Sequence, residues 1–298
     1  MKNQLKTVVL LGSLSAIIVG LGALVAPGSL ALFGALALAV NLGAYFFSDR
    51  IVLRMHHARE AGADEAPELH AIVEELSARA GIPRPRVFLI PEEQPNAFAT
   101  GRNPERGVVA VTEGLVRLLD RRELRGVIAH ELAHIKNRDI LVSSLAAAAA
   151  SLVTYVAQAV SFGAFFGGSE EEESEGGAAG GLLAAVVAPL AATLIQFGIS
   201  RAREFMADET GARISGEPEA LARALVKLEQ ASHLVPADAA PATASLFIVN
   251  PFGAVESLSR WFSTHPRTEE RVERLLAMAG RAPLDAGSPL LPRLLPEW

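Results

Sequence analysis

The 298-residue sequence predicts a mainly α membrane protein with four transmembrane helices and one cytoplasmic α+β domain built from two discontinuous segments. Three observations carry that expectation. Half the residues are hydrophobic and the mean hydropathy is +0.30, high for a soluble chain of this length. The excess is concentrated in uncharged runs long enough to cross a bilayer. Between those runs, helix and strand periodicities replace continuous apolarity.

Residues 1–48 read as an N-terminal transmembrane hairpin. The 42 residues from Thr7 to Ser48 include no Asp, Glu, Lys or Arg. As one helix they would extend about 63 Å, roughly twice the hydrocarbon thickness, so the run must fold back. Pro27-Gly28 near its midpoint supplies a turn, giving spans at about 7–26 and 29–48. The run is too long for the apolar core of a cleaved signal peptide, although Lys2 and Lys6 precede it.

Residues 140–200 read as a second transmembrane hairpin. Ile140–Ser169 and Gly176–Ser200 are uncharged, with the acidic loop Glu170–Glu175 between them on the external side. Ala-rich stretches such as Ala146–Ala150 weaken this pair, and a buried hairpin within the soluble part is its alternative. Lys2, Lys6, Arg50, Arg54, Arg59, Lys136, Arg138, Arg201 and Arg203 flank the spans on one side. The two opposite loops carry no Lys or Arg, which predicts a cell membrane protein with both termini cytoplasmic.

The first extramembrane segment, 49–139, has α/β patterning. Leu69, Ile72, Val73 and Leu76 mark an amphipathic helix ending near Gly81. Strands are expected at Arg86–Ile90, Asn96–Gly101 and Gly107–Val111, then a helix over Glu113–Leu119. A further helix starts near Arg122 and is expected to run unbroken into the third span. The second segment, 201–298, predicts helices at Arg203–Ile214, Pro218–Ser232 and Arg267–Ala279, a mobile Pro236–Ala244 stretch and an irregular tail after Arg281.

His130-Glu131-Leu132-Ala133-His134 is the chemical core of the sequence. Helix positions four apart differ by about 40° in azimuth and about 6 Å in height, so two imidazoles can grip one metal ion. The glutamate between them stands beside the open coordination position, the arrangement of a zinc hydrolase. The chain contains no cysteine, so any further ligand must be a histidine or a carboxylate. Glu204 follows the fourth span as the His pair precedes the third, so a hairpin brings them to one face. Its alternative is an ordinary surface acid. Asp139 and Asp208 could orient the imidazoles, or sit solvated at helix ends. His56 and His57 read as interfacial side chains, and His70 and His233 lack ligand-spaced partners. The net charge of −6 says little about partners; no basic cluster interleaved with aromatics points to nucleic acid, and none is expected as a partner.

His130–His134 with Asp139, the run Arg201–Asp208, Asn96–Gly101, and Ser263–Pro266 with Arg271 together resemble the HtpX family, relatives of the CAAX prenyl proteases. The resemblance covers nearly the whole chain; Arg267 departs from it, where many relatives have a second proline. It implies a zincin-like metalloprotease domain with one zinc ion on His130, His134 and Glu204, and Glu131 as base. It implies cleavage of damaged or misassembled membrane proteins, or unfolded polypeptides, in quality control and stress response. Asn96 would bind substrate backbone, or is simply a turn residue after Pro95. Tyr45 and Tyr155 lie inside predicted spans, which leaves His265 or Arg271 as donor to the reaction's oxyanion. Thr264-His265-Pro266 reads equally as a helix start.

Two rival readings remain in view. In an intramembrane metalloprotease, Arg121, Arg122, Arg125, Lys136 and Arg138 around the motif would be buried at prohibitive cost. A non-catalytic metal-binding scaffold has no need of Glu131. Two histidines and a carboxylate also suit cobalt or manganese.

Overall fold

The computed structural model describes residues 2–25, 27–151, 200–234, 246–249 and 266–280. Helix α1 (Lys2–Val25) and helix α2 (Leu30–Met55) form a hairpin turned by a 3₁₀ segment at Pro27–Ser29, where the sequence places its turn. Inside the hairpin, Asn41 donates through Nδ2 to the Leu11 carbonyl at 3.1 Å and to Ser15 Oγ at 2.6 Å. Helix α2 continues seven residues past the expected boundary at Ser48, because charged Arg50 and Arg54 end an apolar span without breaking a helix. Among the described residues, Leu30–Met55 is the one helix long and apolar enough to cross a membrane; Gln4–Gly20 and Ile140–Ser151 are shorter apolar helices. The second hairpin beyond Ser151, its acidic loop, Pro236–Ala244 and the tail after Arg281 lie outside the described residues.

The sheet has four strands in the order β1-β2-β4-β3. Its members are β1 (Arg59–Glu60), β2 (Arg86–Ile90), β3 (Ala97–Thr100) and β4 (Val108–Thr112). Strand β2 pairs parallel with β4, while β1 and β3 pair antiparallel at the two edges. The two-residue β1 has no periodicity of its own to read. Helix α3 (Pro67–Ala80) stops at Gly81, whose φ of +69° makes the left-handed cap that only glycine adopts freely.

Strand alternation sends the sheet's faces to different layers. Val109 and Val111 join the main core with Leu76, Val127, Leu132, Ala207 and Leu225. Val108 and Ala110 instead meet Val52 and Leu53 of α2, together with Phe88, Ile90, Phe98 and Ala147. The sheet is thus clamped between its own helical layer and the foot of the long apolar helices. Helix α4 (Glu113–Leu118) leads to α5 (Arg121–Lys136), which opens on a capping box between Asp120 and Glu123.

The unbroken helix expected through the motif does not form. Helix α5 ends at Lys136, Arg138 takes a φ of +57°, and α6 (Ile140–Ser151) restarts beyond it. Local propensity contains no Gly or Pro signal for this break; the left-handed residue, which costs roughly 1–2 kcal/mol, is imposed by packing. Helix α6 lies against the first hairpin, where Val142, Leu145 and Ala149 meet Leu10, Leu14 and Ala44. Helices α7 (Arg201–Ser215), α8 (Pro218–Leu234) and α9 (Thr268–Met278) complete the layer on α5.

Candidate metal centre

The site is assembled where α7 crosses α5. Along α7, Glu204, Ala207, Asp208 and Gly211 share one buried face, at spacings of three and four. A Cβ at Gly211 would stand 2.8 Å from the His130 backbone nitrogen and 2.9 Å from its Cα, so glycine permits the close approach. That approach carries Glu204, two turns earlier, up to the imidazoles.

His130 and His134 present their rings nearly perpendicular, at 87°, with their Nε2 atoms 3.1 Å apart. Glu204 Oε2 lies 3.7 Å from His130 Nε2, and its Oε1 lies 3.9 Å from His134 Nε2. One ligand atom from each of the three residues falls within 4.8 Å of the others. Tetrahedral nitrogen and oxygen ligands about 2.0–2.1 Å from zinc stand roughly 3.3 Å from one another, close to this spacing. Two ring nitrogens facing each other while a carboxylate backs each ring are a donor set that a cation satisfies, so the residues fit a metal ion.

Carboxylates stand behind both rings. Asp139 places both oxygens 3.2 Å from His134 Nδ1. The break at Arg138 makes this possible by folding Asp139 back, its N–H donating to the His134 carbonyl. Asp208 Oδ1 lies 2.9 Å from His130 Nδ1, an ionic contact not aligned as a linear hydrogen bond. Arg271 in turn donates from Nε and Nη2 to Asp208, both at 2.7 Å, and from Nη1 to the Ile248 carbonyl at 2.7 Å.

These contacts set the charges of the metal-free site. Burial works to lower the His134 pKa, but Asp139, with Glu204 and Glu131, outweighs it and pushes it up to about 10. Burial likewise opposes protonation of His130, and Asp208 and Glu204 win there too. Burial raises the Asp208 carboxyl, yet the Arg271 guanidinium overcomes it and holds the group down at about 2. Glu131 is raised, chiefly by burial, with the two imidazoles opposing. A buried carboxyl held above its usual range suits proton transfer.

Glu131, His130, His134 and Glu204 share one cavity of about 30 Å³, lined also by Phe98, Ala99, Ile140, Ser143 and residues 246–248. That is room for about one water molecule. Two of the expected substrate groups stand elsewhere. Arg271 is 1% exposed and fully engaged behind Asp208, on the far side of His130 from the ligand nitrogens. Asn96 is buried, and its Oδ1 accepts from the Ile248 N–H at 3.2 Å, so it tethers the cavity's roof. His265 lies outside the described residues.

Some neighbours escaped the sequence reading. His56 is not an interfacial side chain: it is buried, 3.2 Å from Glu92 Oε1, with its ring tilted against Phe98 and Phe247. Arg203 is buried within electrostatic reach of Asp139 and Glu204. The basic run ahead of Glu204 is its only sequence signal. Nothing in the sequence flags Leu246–Ile248 as the roof.

A histidine pair and a carboxylate converging on one point, beside a second buried carboxylate, make the centre of a metal-dependent hydrolase rather than a closed structural site. The pattern of Peptidase family M48 matches residues 63–279. A protease HtpX homolog from Syntrophobacter fumaroxidans is 55% identical over 284 residues, covering 93% of this chain and 100% of that protein. Another from Pyrococcus abyssi is 52% identical over 277 residues, 92% of this chain and 96% of that one. The chain belongs to peptidase family M48, among the HtpX proteases, and is a metalloprotease. A solved structure, S. mikatae Ste24p, aligns with TM-score 0.48 and 18% identity over 92% of this chain and 65% of that one.

Proposed function

We propose that this chain is a membrane-anchored zinc endopeptidase that cleaves damaged or misassembled membrane proteins at the cytoplasmic face. The observation that carries the reading is the buried Glu131 carboxylate sharing a cavity with His130, His134 and Glu204. Those three residues would hold the ion, which supplies Lewis-acid polarisation of water and of the scissile carbonyl. Glu131 takes the proton from the attacking water and returns it to the departing amine. Asp139 and Asp208 keep each imidazole's Nε2 turned toward the centre, and Arg271 holds Asp208.

A polypeptide needs more room than this narrow pocket, which residues 246–248 help to line. Strand β3 lies at the sheet edge and contributes Phe98 and Ala99 to the cavity, so an extended peptide can pair along it. Four spans and a cytoplasmic catalytic domain are supported by the exposed apolar flank of α2, the packing of α6 on the first hairpin, and the Lys/Arg distribution.

The test is cleavage of an unfolded polypeptide in detergent by the parent and by Glu131→Gln, each purified without chelator and analysed for metal. A loss of at least ~10²-fold in kcat with metal content unchanged is expected. Equal turnover by the two proteins overturns the assignment of Glu131, and a parent without bound zinc overturns the choice of metal.

A further inference from the structure

The foot of α2 opens onto a second, larger cleft of about 710 Å³ that the proteolytic reading does not use. One wall is the end of α2, where Phe46, Arg50 and Arg54 recur at four-residue spacing on one face. The opposite wall is β2 with its approach and the β3–β4 connection, which bring Arg84, Arg86, Arg102 and Arg106. Arg84 is paired with Glu74 and Arg86 with Glu60. No carboxylate pairs with Arg50, Arg54, Arg102 or Arg106 among the described residues. Two of these cations rest on aromatic rings instead: Arg50 lies 5.5 Å from the Phe47 centroid and Arg102 lies 5.2 Å from that of Phe46. Such stacking orients a guanidinium and leaves its N–H groups free for an anion.

Two acids line the cleft, Asp49 and Glu105. Asp49 is buried, and its Oδ1 has no hydrogen-bond partner. Four uncommitted cations therefore outnumber two carboxylates, and one of those carboxylates offers an acceptor to a hydroxyl. The apolar flank of α2, exposed at Leu38, Leu42, Phe46, Phe47 and Ile51, ends at this opening. An occupant that uses the whole feature has an anionic phosphate, a hydroxyl and an apolar tail.

We infer that this cleft binds the headgroup of an anionic phospholipid carrying a free hydroxyl, its phosphate among Arg50, Arg54, Arg102 and Arg106 and its acyl chains against Phe46 and Phe47. The inference rests on the membrane-anchored reading. A basic pocket at the cytoplasmic end of a span is a recognised way to hold acidic lipid, while free phosphate would make no use of the apolar flank.

The full chain in detergent is titrated with phosphatidylglycerol, phosphatidylcholine or inorganic phosphate while its melting temperature is followed. Phosphatidylglycerol alone is expected to raise it, and the Arg50→Gln/Arg102→Gln/Arg106→Gln variant to need at least ~10-fold more lipid for half the shift. Should the triple variant fail to show a parental melt without lipid, Arg102→Gln alone is titrated, with a smaller loss expected. Equal lipid responses in parent and variant overturn the site. An equal shift with inorganic phosphate replaces the lipid with a free anion. Reconstitution separates the two readings: a parent that stays out of phosphatidylcholine vesicles overturns the membrane anchor and the cleft together. A parent that enters them yet ignores phosphatidylglycerol overturns the cleft alone.

Discussion

His134 is held between opposing demands. Metal binding needs its imidazole neutral, while Asp139, 3.2 Å from Nδ1, favours the protonated ring. In the metal-free protein its pKa lies near 10, above the ordinary 6.5, so its contribution to folding is complete below about pH 6.5. That contribution is lost as pH rises through 10. Stripped protein should therefore melt progressively lower between pH 7 and 10, and metal uptake at pH 7 should release protons. Calorimetric titration of the metal in buffers of different ionisation enthalpy measures that release; a buffer-independent enthalpy contradicts it. Asp208 acts on the other ring through a single contact, itself anchored by Arg271. Asp208→Asn is expected to weaken metal affinity by about 10–100-fold, and to lower stability as well, because it leaves the buried Arg271 charge uncompensated. Metal competition with a chromogenic chelator reads this, and unchanged affinity would show that the carboxylate does not support the ring.

Helices, not loops, set the site's dimensions. Gly211 lets α7 lie on the backbone of α5 at His130, where a methyl group would meet main-chain atoms that cannot swing away. Gly211→Ala should cost about 1–3 kcal/mol in unfolding free energy, since forced separation of packed helices is expensive. Because Glu204 rides on the same helix, bound metal per chain should fall as well. Equilibrium denaturation paired with metal analysis tests both, and a stable variant with a full metal complement refutes the packing argument. The break between α5 and α6 has a complementary effect. A straight helix would carry Asp139 away from His134, whereas the left-handed Arg138 returns it to the ring.

For the whole molecule, the helical layer and the apolar helices pack in separate cores on opposite faces of one sheet. Val52 and Leu53 of α2 pack on the same face as Phe98, a residue that also lines the catalytic cavity. Phe98 therefore links the candidate metal centre to the foot of α2. The orientation of that assembly is testable because the chain contains no cysteine. Single cysteines at Gly28, in the hairpin turn, and at Asp64, in the catalytic domain, can be labelled in intact cells with a membrane-impermeant maleimide. The expected pattern is labelling at position 28 alone, with position 64 reacting only after permeabilisation. The reverse pattern inverts the topology.

Much of this was legible in the linear chain. Regular periodicity marked α3, β2 and β4 to within a residue or two at their ends, and helical spacing placed His130 and His134 on one face. The apolar runs alone suggested that Glu204 returns to the His pair, because two ends of a hairpin emerge together. Other features had no local code. The turn at Arg138, the two-residue β1, the burial of His56, the roof at 246–248 and the engagement of Arg271 with Asp208 are all decided by packing. Side-chain spacing along one helix is set by backbone geometry that every sequence shares. Which residue meets another 63 or 152 positions away depends on how closely whole elements approach. The sequence by itself thus determined the metal-binding chemistry and the membrane-like character of this protein. Only the tertiary structure decided which groups hold the imidazoles and what lines the cavity, because those contacts exist only once α5, α7, α9 and the sheet are packed together.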